Sequence, residues 1–325
     1  MPRAPVNRSG EMEMFARVVE RGAFSAAARS LRMTPSALSK LVTRLEKRLG
    51  VRLVNRSTRK LQLTAEGGEF YERCVKVLAD IDDAERSAAT GAAPRGRVRI
   101  NANVPFGLNY LLPLVPAFLA QHPEITLDIA LTDQVVDLLE QRADLAIRVG
   151  PLRSSQLTQR KLGESRLCVV AAPAYLARWG TPRDLEALER HNRIGYGFAR
   201  TLDAWPFRTQ AGASTTIPVI GNAQVSDGES LRRLALAGAG IARLALFNIA
   251  PDLKAGRLVP ILEDYNPGDT EEISVIFLGQ GGHLPSRVRA VIEFLAATVP
   301  RRLDDTDPSG PIPTLGSQAL GESAP

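Results

Sequence analysis

The segment from Thr34 to Gly50 constrains this chain most, because it carries a helix start, a helix stop and two sorted faces. Thr34 is a residue type that caps a helix N-terminus, and Pro35 sits where a missing N–H costs nothing. Gly50 suits the left-handed position that ends a helix. On a helical wheel Leu38, Leu41, Val42, Leu45 and Leu49 fall on one side, and Ser36, Ser39, Lys40, Thr43 and Lys47 on the other. Such a helix packs its apolar side and presents the other. Two helices are expected before it. The first runs from Glu11 to Arg21, with Phe15, Val18 and Val19 at helical spacing and Gly22 as its stop. In the second, Ser25 is read as the N-cap of Ala26 to Leu31, whose small residues allow close approach to a neighbour.

Two short helices joined by a tight turn form a helix-turn-helix. Beyond it, Val51–Leu53 and Leu61–Leu63 alternate apolar and polar residues around a basic tip, Asn55 to Lys60, which reads as a β-wing. Short hydroxyl and basic side chains on a presented helix suit phosphates and base edges in a major groove. Taken alone, they equally suit a solvated face. The charge distribution adds a second signal. Residues 1–64 hold 14 Lys or Arg against four Glu, a net +10, so the rest of this +6 chain carries −4. A basic head on a mildly acidic body fits a polyanion-binding module joined to a part with another task.

Four stretches then carry a family resemblance: Ala23-Phe24-Ser25-Ala26-Ala27-Ala28, Thr34-Pro35-Ser36-Ala37-Leu38-Ser39-Lys40, Leu45-Glu46-Lys47-Arg48-Leu49-Gly50-Val51-Arg52-Leu53 and Leu63-Thr64-Ala65-Glu66-Gly67. In order and spacing they closely resemble the LysR-type transcriptional regulators, and the likeness continues to about residue 297. By resemblance, Thr34, Pro35, Ser36, Ser39, Lys40 and Thr43 occupy recognition-helix positions that approach bases and phosphates, Arg56 and Arg59 those of the wing, with Ser25 and Arg44 as flanking contacts. Lys40 stands where many relatives have Arg, and an ammonium cannot make the forked contact of a guanidinium.

From Ala65 to Ala89 there is no proline, and Phe70, Cys74, Val77, Ile81, Ala84 and Ala88 follow a 4-3-4-3-4 rhythm. A seam on a helix ~37 Å long must be covered. A second copy would cover it, and the resemblance implies the same dimer through Phe70, Cys74, Val77, Ile81 and Ala84. The alternative is that the seam packs on its own chain. Residues 90–96 are read as a hinge.

Beyond the hinge, short apolar runs (Val98–Ala102, Ile125–Leu131, Leu145–Val149, Leu167–Ala172, Ile194–Tyr196, Ile241–Leu246, Ile273–Leu278) alternate with helical segments (Leu108–Gln121, Val135–Gln141, Gly228–Ala237, Leu284–Thr298). This is an α/β pattern, expected as an open, parallel-rich sheet. The resemblance implies an effector domain over residues 97–298, of a two-lobed, periplasmic-binding-protein-like Rossmann type. Lobe I is placed at 97–163 plus 268–298 and lobe II at 164–267, with a disordered tail from 299. Ligands of such folds sit beyond the carboxyl ends of strands, between lobes. The candidate lining is therefore the loops Asn101–Gly107, Thr132-Asp133, Arg148-Val149-Gly150, Gly197-Phe198 and Ser226-Asp227, with Asn101, Asn103, Pro105, Phe106, Thr132, Arg148, Phe198, Ser226 and Asp227 as the candidate effector residues. Arg148 is the nearest candidate cation or else a surface charge, and Asp227 reads more readily as a helix cap.

No GxSxG, GxxxxGK[ST] or HExxH motif is present, Gly238-Ala239-Gly240 lacks the third glycine of a dinucleotide fingerprint, and Cys74 and Cys168 stand apart from each other and from the three His. No catalytic residue, metal or cofactor is assigned. Met1–Gly10 lacks the apolar core of a secretory signal, and Leu234–Ala250 is interrupted by Arg243 and Asn248, so a cytoplasmic chain without a membrane span is expected. The expected partners are promoter DNA, a small-molecule effector, a second copy in a dimer or tetramer and RNA polymerase. The competing readings are an architectural DNA-binding protein without effector response, and an enzyme or solute-binding protein with an accessory head.

Overall fold

The computed structural model describes residues 7–56, 61–87, 93–133, 143–151, 157–197, 204–277 and 284–306. They form two compact units, Met1–Ala93 and Pro94–Pro325.

In the first unit, α1 (Arg8–Arg21), α2 (Phe24–Ser30) and α3 (Pro35–Leu49) are followed by a hairpin of β1 (Val54–Arg56) and β2 (Leu61–Leu63) and by α4 (Ala65–Ser87). Asn7 caps α1, Thr34 caps α3, and Gly22 and Gly50 end these helices at φ +65° and +75°. Phe15, Val18, Leu38, Val42, Leu45 and Leu53 make one core with almost no exposure. Burial of each such side chain is worth about 1.5–3 kcal/mol. Two expectations shift here. The helix α2 begins at Phe24, which packs against the core, so Ala23 and not Ser25 takes the cap position, and Ser25 lies exposed in the first turn. The first wing strand starts at Val54 rather than Val51.

In the second unit the order is β3 (Gly96–Ala102), α5 (Val104–Phe106), a π turn (Gly107–Leu111), α6 (Leu112–Gln121), β4 (Ile125–Leu131), β5 (Leu145–Val149), β6 (Thr158–Ala171), α7 (Pro173–Trp179), α8 (Leu185–Glu189), β7 (Gly195–Tyr196), β8 (Ala204–Arg208), β9 (Ser214–Pro218), β10 (Gln224–Val225), α9 (Gly228–Leu236), β11 (Ala242–Ala245), α10 (Leu246–Lys254), β12 (Val259–Pro260), β13 (Thr270–Phe277) and α11 (Ser286–Thr306). The main sheet runs β11-β6-β13-β5-β3-β4, with β12 also on β6. It is mixed and not parallel-rich. Among the described residues of this sheet only β3–β4 and β3–β5 pair in parallel, because the long strands β6 and β13 run antiparallel to each other and to their neighbours, and β7 and β10 pair in parallel apart from it.

The cores are built on different strands of this sheet, the first on β3, β5 and β13, the others on opposite faces of β6. The first holds Ile100, Phe106, Tyr110, Leu114, Phe118, Ile147, Val275, Ile292 and Leu295, the others Val170, Ile194, Leu231, Leu244 and Ile249, and Tyr175, Trp205 and Phe207. Val104–Gln121 is 18 residues long with a mean hydropathy of 1.3, enough by length and composition to cross a bilayer. Phe106, Tyr110, Leu111, Leu114 and Phe118 of this segment are buried in the first core, while Leu108 and Leu112 are exposed. The final helix extends to Thr306, past the expected start of a disordered tail, because Val299 and Leu303 continue the buried stripe of Leu295. The expected helix at Val135–Gln141 lies outside the described residues, as does the chain from 307 onward.

Candidate functional site

The first candidate site is the outer side of α3. Leu38, Val42 and Leu45 are buried, while Thr34, Pro35, Ser36, Lys40 and Lys47 are exposed and Ser39 and Thr43 half-buried on the opposite side. Thr34 Oγ1 accepts from the Ala37 N–H at 3.2 Å, which anchors the first turn, and lies 3.2 Å from Ser36 Oγ. The Thr43 hydroxyl donates to the Ser39 carbonyl at 2.8 Å, so its proton points back into the helix. Arg44 and Arg48 reach Glu11 on α1. Arg48 Nε donates to Glu11 Oε2 at 3.0 Å and Arg44 Nη2 lies 3.3 Å from Oε1, so this buried carboxylate sets α3 against α1.

Glu46 does the same for the wing. Its Oε1 accepts from the backbone N–H groups of Leu53 and Val54 at 2.9 and 3.2 Å. Thr64 closes the root from the other side, its N–H donating to the Leu53 carbonyl at 3.1 Å and its Oγ1 to the Arg52 carbonyl at 2.7 Å. A Cβ on Gly67 would fall 1.9 Å from the Leu53 carbonyl oxygen, so the first turn of α4 can approach the wing root this closely only with glycine there. The wing pairs Val54 with Leu63, Asn55 with Gln62 and Arg56 with Leu61. The tip with Arg59, and the side chain of Arg56, lie outside the described residues.

The seam of α4 is divided. Phe70 packs on Phe15 with ring centroids 5.5 Å apart, and Cys74 is fully buried in the head's own core. Both were expected against a second copy. They face α1 instead, because that core needs an apolar lid. Burial also pushes the Cys74 thiol up to about 12, far from a reactive thiolate. Val77 and Ile81, by contrast, are 40% and 36% exposed, and Ala84 is exposed with them.

The second candidate site is a narrow crevice in the second unit, lined by Asn103, Pro105, Asp133, Val149, Tyr196, Gly228, Leu244, Ala245, Phe247, Asn248 and Glu271. Of the expected residues, Asn103 and Pro105 stand on its wall. Asn103 caps the turn that follows β3, its Oδ1 accepting from the Phe106 N–H at 3.1 Å. Phe106 itself is fully buried, stacked on Tyr110 with centroids 5.3 Å apart, so its ring belongs to the core and not to the wall. Asn101 is buried behind the wall and accepts from Arg148 Nη1 at 2.5 Å. Burial lowers the proton affinity of Arg148, opposed by the charge of Asp133, and its buried Nη2 makes no hydrogen bond among the described residues. Thr132 is half-buried at the end of β4, its N–H donating to the Ala102 carbonyl. Ser226 is exposed beside Asp227, which caps α9 by accepting from Ser230 N–H at 2.8 Å and Ser230 Oγ at 2.7 Å. Phe198 lies outside the described residues.

Asp133 and Val149 also stand on the wall and lie in loops after β4 and at the end of β5 that the sequence marks as candidate lining, whereas Tyr196, Phe247 and Asn248 are wall residues that it did not single out. Asn248 carried a usable signal: a polar residue inside an apolar run, now 4% exposed with its Nδ2 donating to the Gly228 carbonyl. Tyr196 and Phe247 lie in apolar runs and carried none.

Comparison with known proteins finds a family match in each unit. The family of bacterial regulatory helix-turn-helix proteins of the LysR family matches residues 10–68, and the LysR substrate binding domain matches residues 91–300. The HTH-type transcriptional regulator CrgA of Neisseria meningitidis serogroup C is 36% identical over 288 residues, spanning 88% of this chain and 95% of its own length. The solved structure of CrgA from Neisseria meningitidis superposes with a TM-score of 0.60 at 34% identity, covering 90% of this chain and 99% of that one. That of the Vibrio cholerae virulence activator AphB gives 0.56 at 28% identity, covering 89% and 99%. A helix-turn-helix head with a charged outer helix, joined to a creviced α/β domain and matched along both parts, places this chain in the LysR family of bacterial transcriptional regulators.

Proposed function

We propose that this regulator reads promoter DNA through Ser36, Ser39 and Lys40 on α3, with Thr34, Pro35 and Thr43 at the backbone and the wing beside them. The observation that carries this is the fixed presentation of α3: its apolar side is locked in the core, its N-terminus is capped by Thr34, and Glu11 and Glu46 tie it to α1 and the wing root. A rigid element held on several sides is what base-edge recognition needs. Two copies would pair through the exposed part of α4, at Val77, Ile81 and Ala84, and present two heads to a two-fold related site. The crevice takes a small-molecule effector, with the Arg148 guanidinium in electrostatic contact with its wall residue Asp133. The protein works in the cytoplasm as a non-catalytic regulator, and assembly into a tetramer and contact with RNA polymerase belong to the same reading.

Alanine at Ser36, Ser39 or Lys40 tests the DNA face by gel shift on specific and unrelated duplexes. Each variant is expected to lose more specific than non-specific affinity, about 1–3 kcal/mol where a base contact is removed. Equal loss on both duplexes sinks the assignment. Effector and DNA affinities are coupled reciprocally, so an effector that weakens DNA binding must itself bind less tightly to the DNA complex.

A further inference from the structure

A carboxylate of the chain itself spans the crevice. Asp133 follows β4, and its Oδ1 accepts from Asn103 Nδ2 at 2.8 Å and from the Val104 N–H at 2.7 Å. Its Oδ2 accepts from the N–H of Gly228 at 3.2 Å, the first residue of α9 on the opposite wall. Gly228 is held at both ends, since its carbonyl accepts from Asn248 Nδ2 at 3.1 Å while Asn248 Oδ1 accepts from Asn109 Nδ2 at 3.1 Å. The walls are close enough that a Cβ at position 228 would fall 2.8 Å from the Pro105 ring. Neutral N–H donors from two walls therefore converge on one carboxylate, near a guanidinium whose proton affinity that carboxylate supports.

We infer that Asp133 is a tethered anion that latches the crevice shut, so that an effector must displace it and this residue sets the ease of entry. The inference rests on the reading of the crevice as the effector site and adds what controls access to it. The chemistry is a substitution of acceptors: when the carboxylate leaves, Asn103 Nδ2, Val104 N–H and Gly228 N–H need another anion or water. Asp133 is thus a positioning residue, fixing one wall against the other.

The test is chemical rescue in the full-length Asp133→Ala variant, read by amide hydrogen exchange in sodium acetate and in sodium chloride of matched ionic strength. Peptides containing the Val104 and Gly228 amides should exchange at least about tenfold faster in the variant than in the wild type, with α3 unchanged. Acetate, entering the vacated slot, should restore much of that protection where chloride does not, and the wild type should respond to neither. Unchanged exchange in the variant, or acetate no better than chloride, overturns the latch. Should Asp133→Ala fail to fold, Asp133→Asn keeps the size and one acceptor oxygen. Faster Gly228 exchange in that variant supports the latch and wild-type exchange refutes it. Neither readout uses DNA or effector, so failure of the latch is distinguishable from failure of the effector reading.

Discussion

Replacing Glu46 by alanine should uncouple the wing from the recognition helix. The carboxylate receives two backbone N–H groups, those of Leu53 and Val54, whose residues are 0% and 3% exposed. A buried donor left unsatisfied costs about 1–3 kcal/mol, so two of them, with water reaching part of the gap, cost about 2–4 kcal/mol. For a unit of this size, where 1 kcal/mol moves the midpoint by about 4–8 °C, the head should melt about 8–30 °C earlier. Glu46→Gln retains a carbonyl acceptor and should lose about 1 kcal/mol or less, the charge-assisted share. The two tryptophans, Trp179 and Trp205, both lie in the second unit. Tryptophan fluorescence therefore follows that unit alone, while far-UV circular dichroism follows both. The expected result is a lowered dichroism transition in Glu46→Ala with the fluorescence transition unmoved. An unshifted head, or a Gln variant as unstable as the Ala variant, would show that the wing root does not depend on this acceptor.

Other consequences follow from the divided seam of α4. Ile81→Asp puts a carboxylate on its exposed part and should convert the protein to monomers in sedimentation, an unchanged mass refuting that interface. Cys74→Ser should leave the mass unaltered but destabilise the head by about 1–3 kcal/mol, since it buries a hydroxyl in the core. The raised Cys74 pKa works against folding only in alkali. The thiol's ordinary value is 9.0 and its folded value about 12, so above pH 9 the unfolded chain loses this proton first. The stability held below pH 9 is expected to decline from there toward pH 12 in the wild type and less steeply in Cys74→Ala. Identical alkaline profiles would contradict the burial.

The head was largely legible because its punctuation is local. Thr34, Pro35, Gly22 and Gly50 act within a turn of where they stand, and α3 starts and stops where they indicate. Ser25 misled because a capping side chain was weighed without the pull of Phe24 toward the core. Periodicity identified an apolar stripe on α4 but not its cover, and one stripe serves the head's own core at Phe70 and Cys74 and is exposed further on. In the second unit, strand positions were visible and pairings were not, since nothing local announces that β6 and β13 run antiparallel. The β8–β9 hairpin, with Trp205 and Phe207 buried against Ile217, was hidden by Pro206, which demotes a run that otherwise alternates. The crevice was located by its loops, but its closure depends on Asp133 meeting Gly228, 95 residues away in sequence.

On the proposed reading, two copies of the α3 face and wing read DNA in sequence. Genome-wide mapping of the tagged protein's binding sites, with gel shifts of the strongest site over several salt concentrations, tests it most directly. A few sharp sites sharing an interrupted palindrome are expected, with half-sites about one helical turn or a multiple apart, bound far more tightly than unrelated DNA at every salt concentration. Diffuse, sequence-independent coverage whose affinity collapses steeply with salt would contradict it.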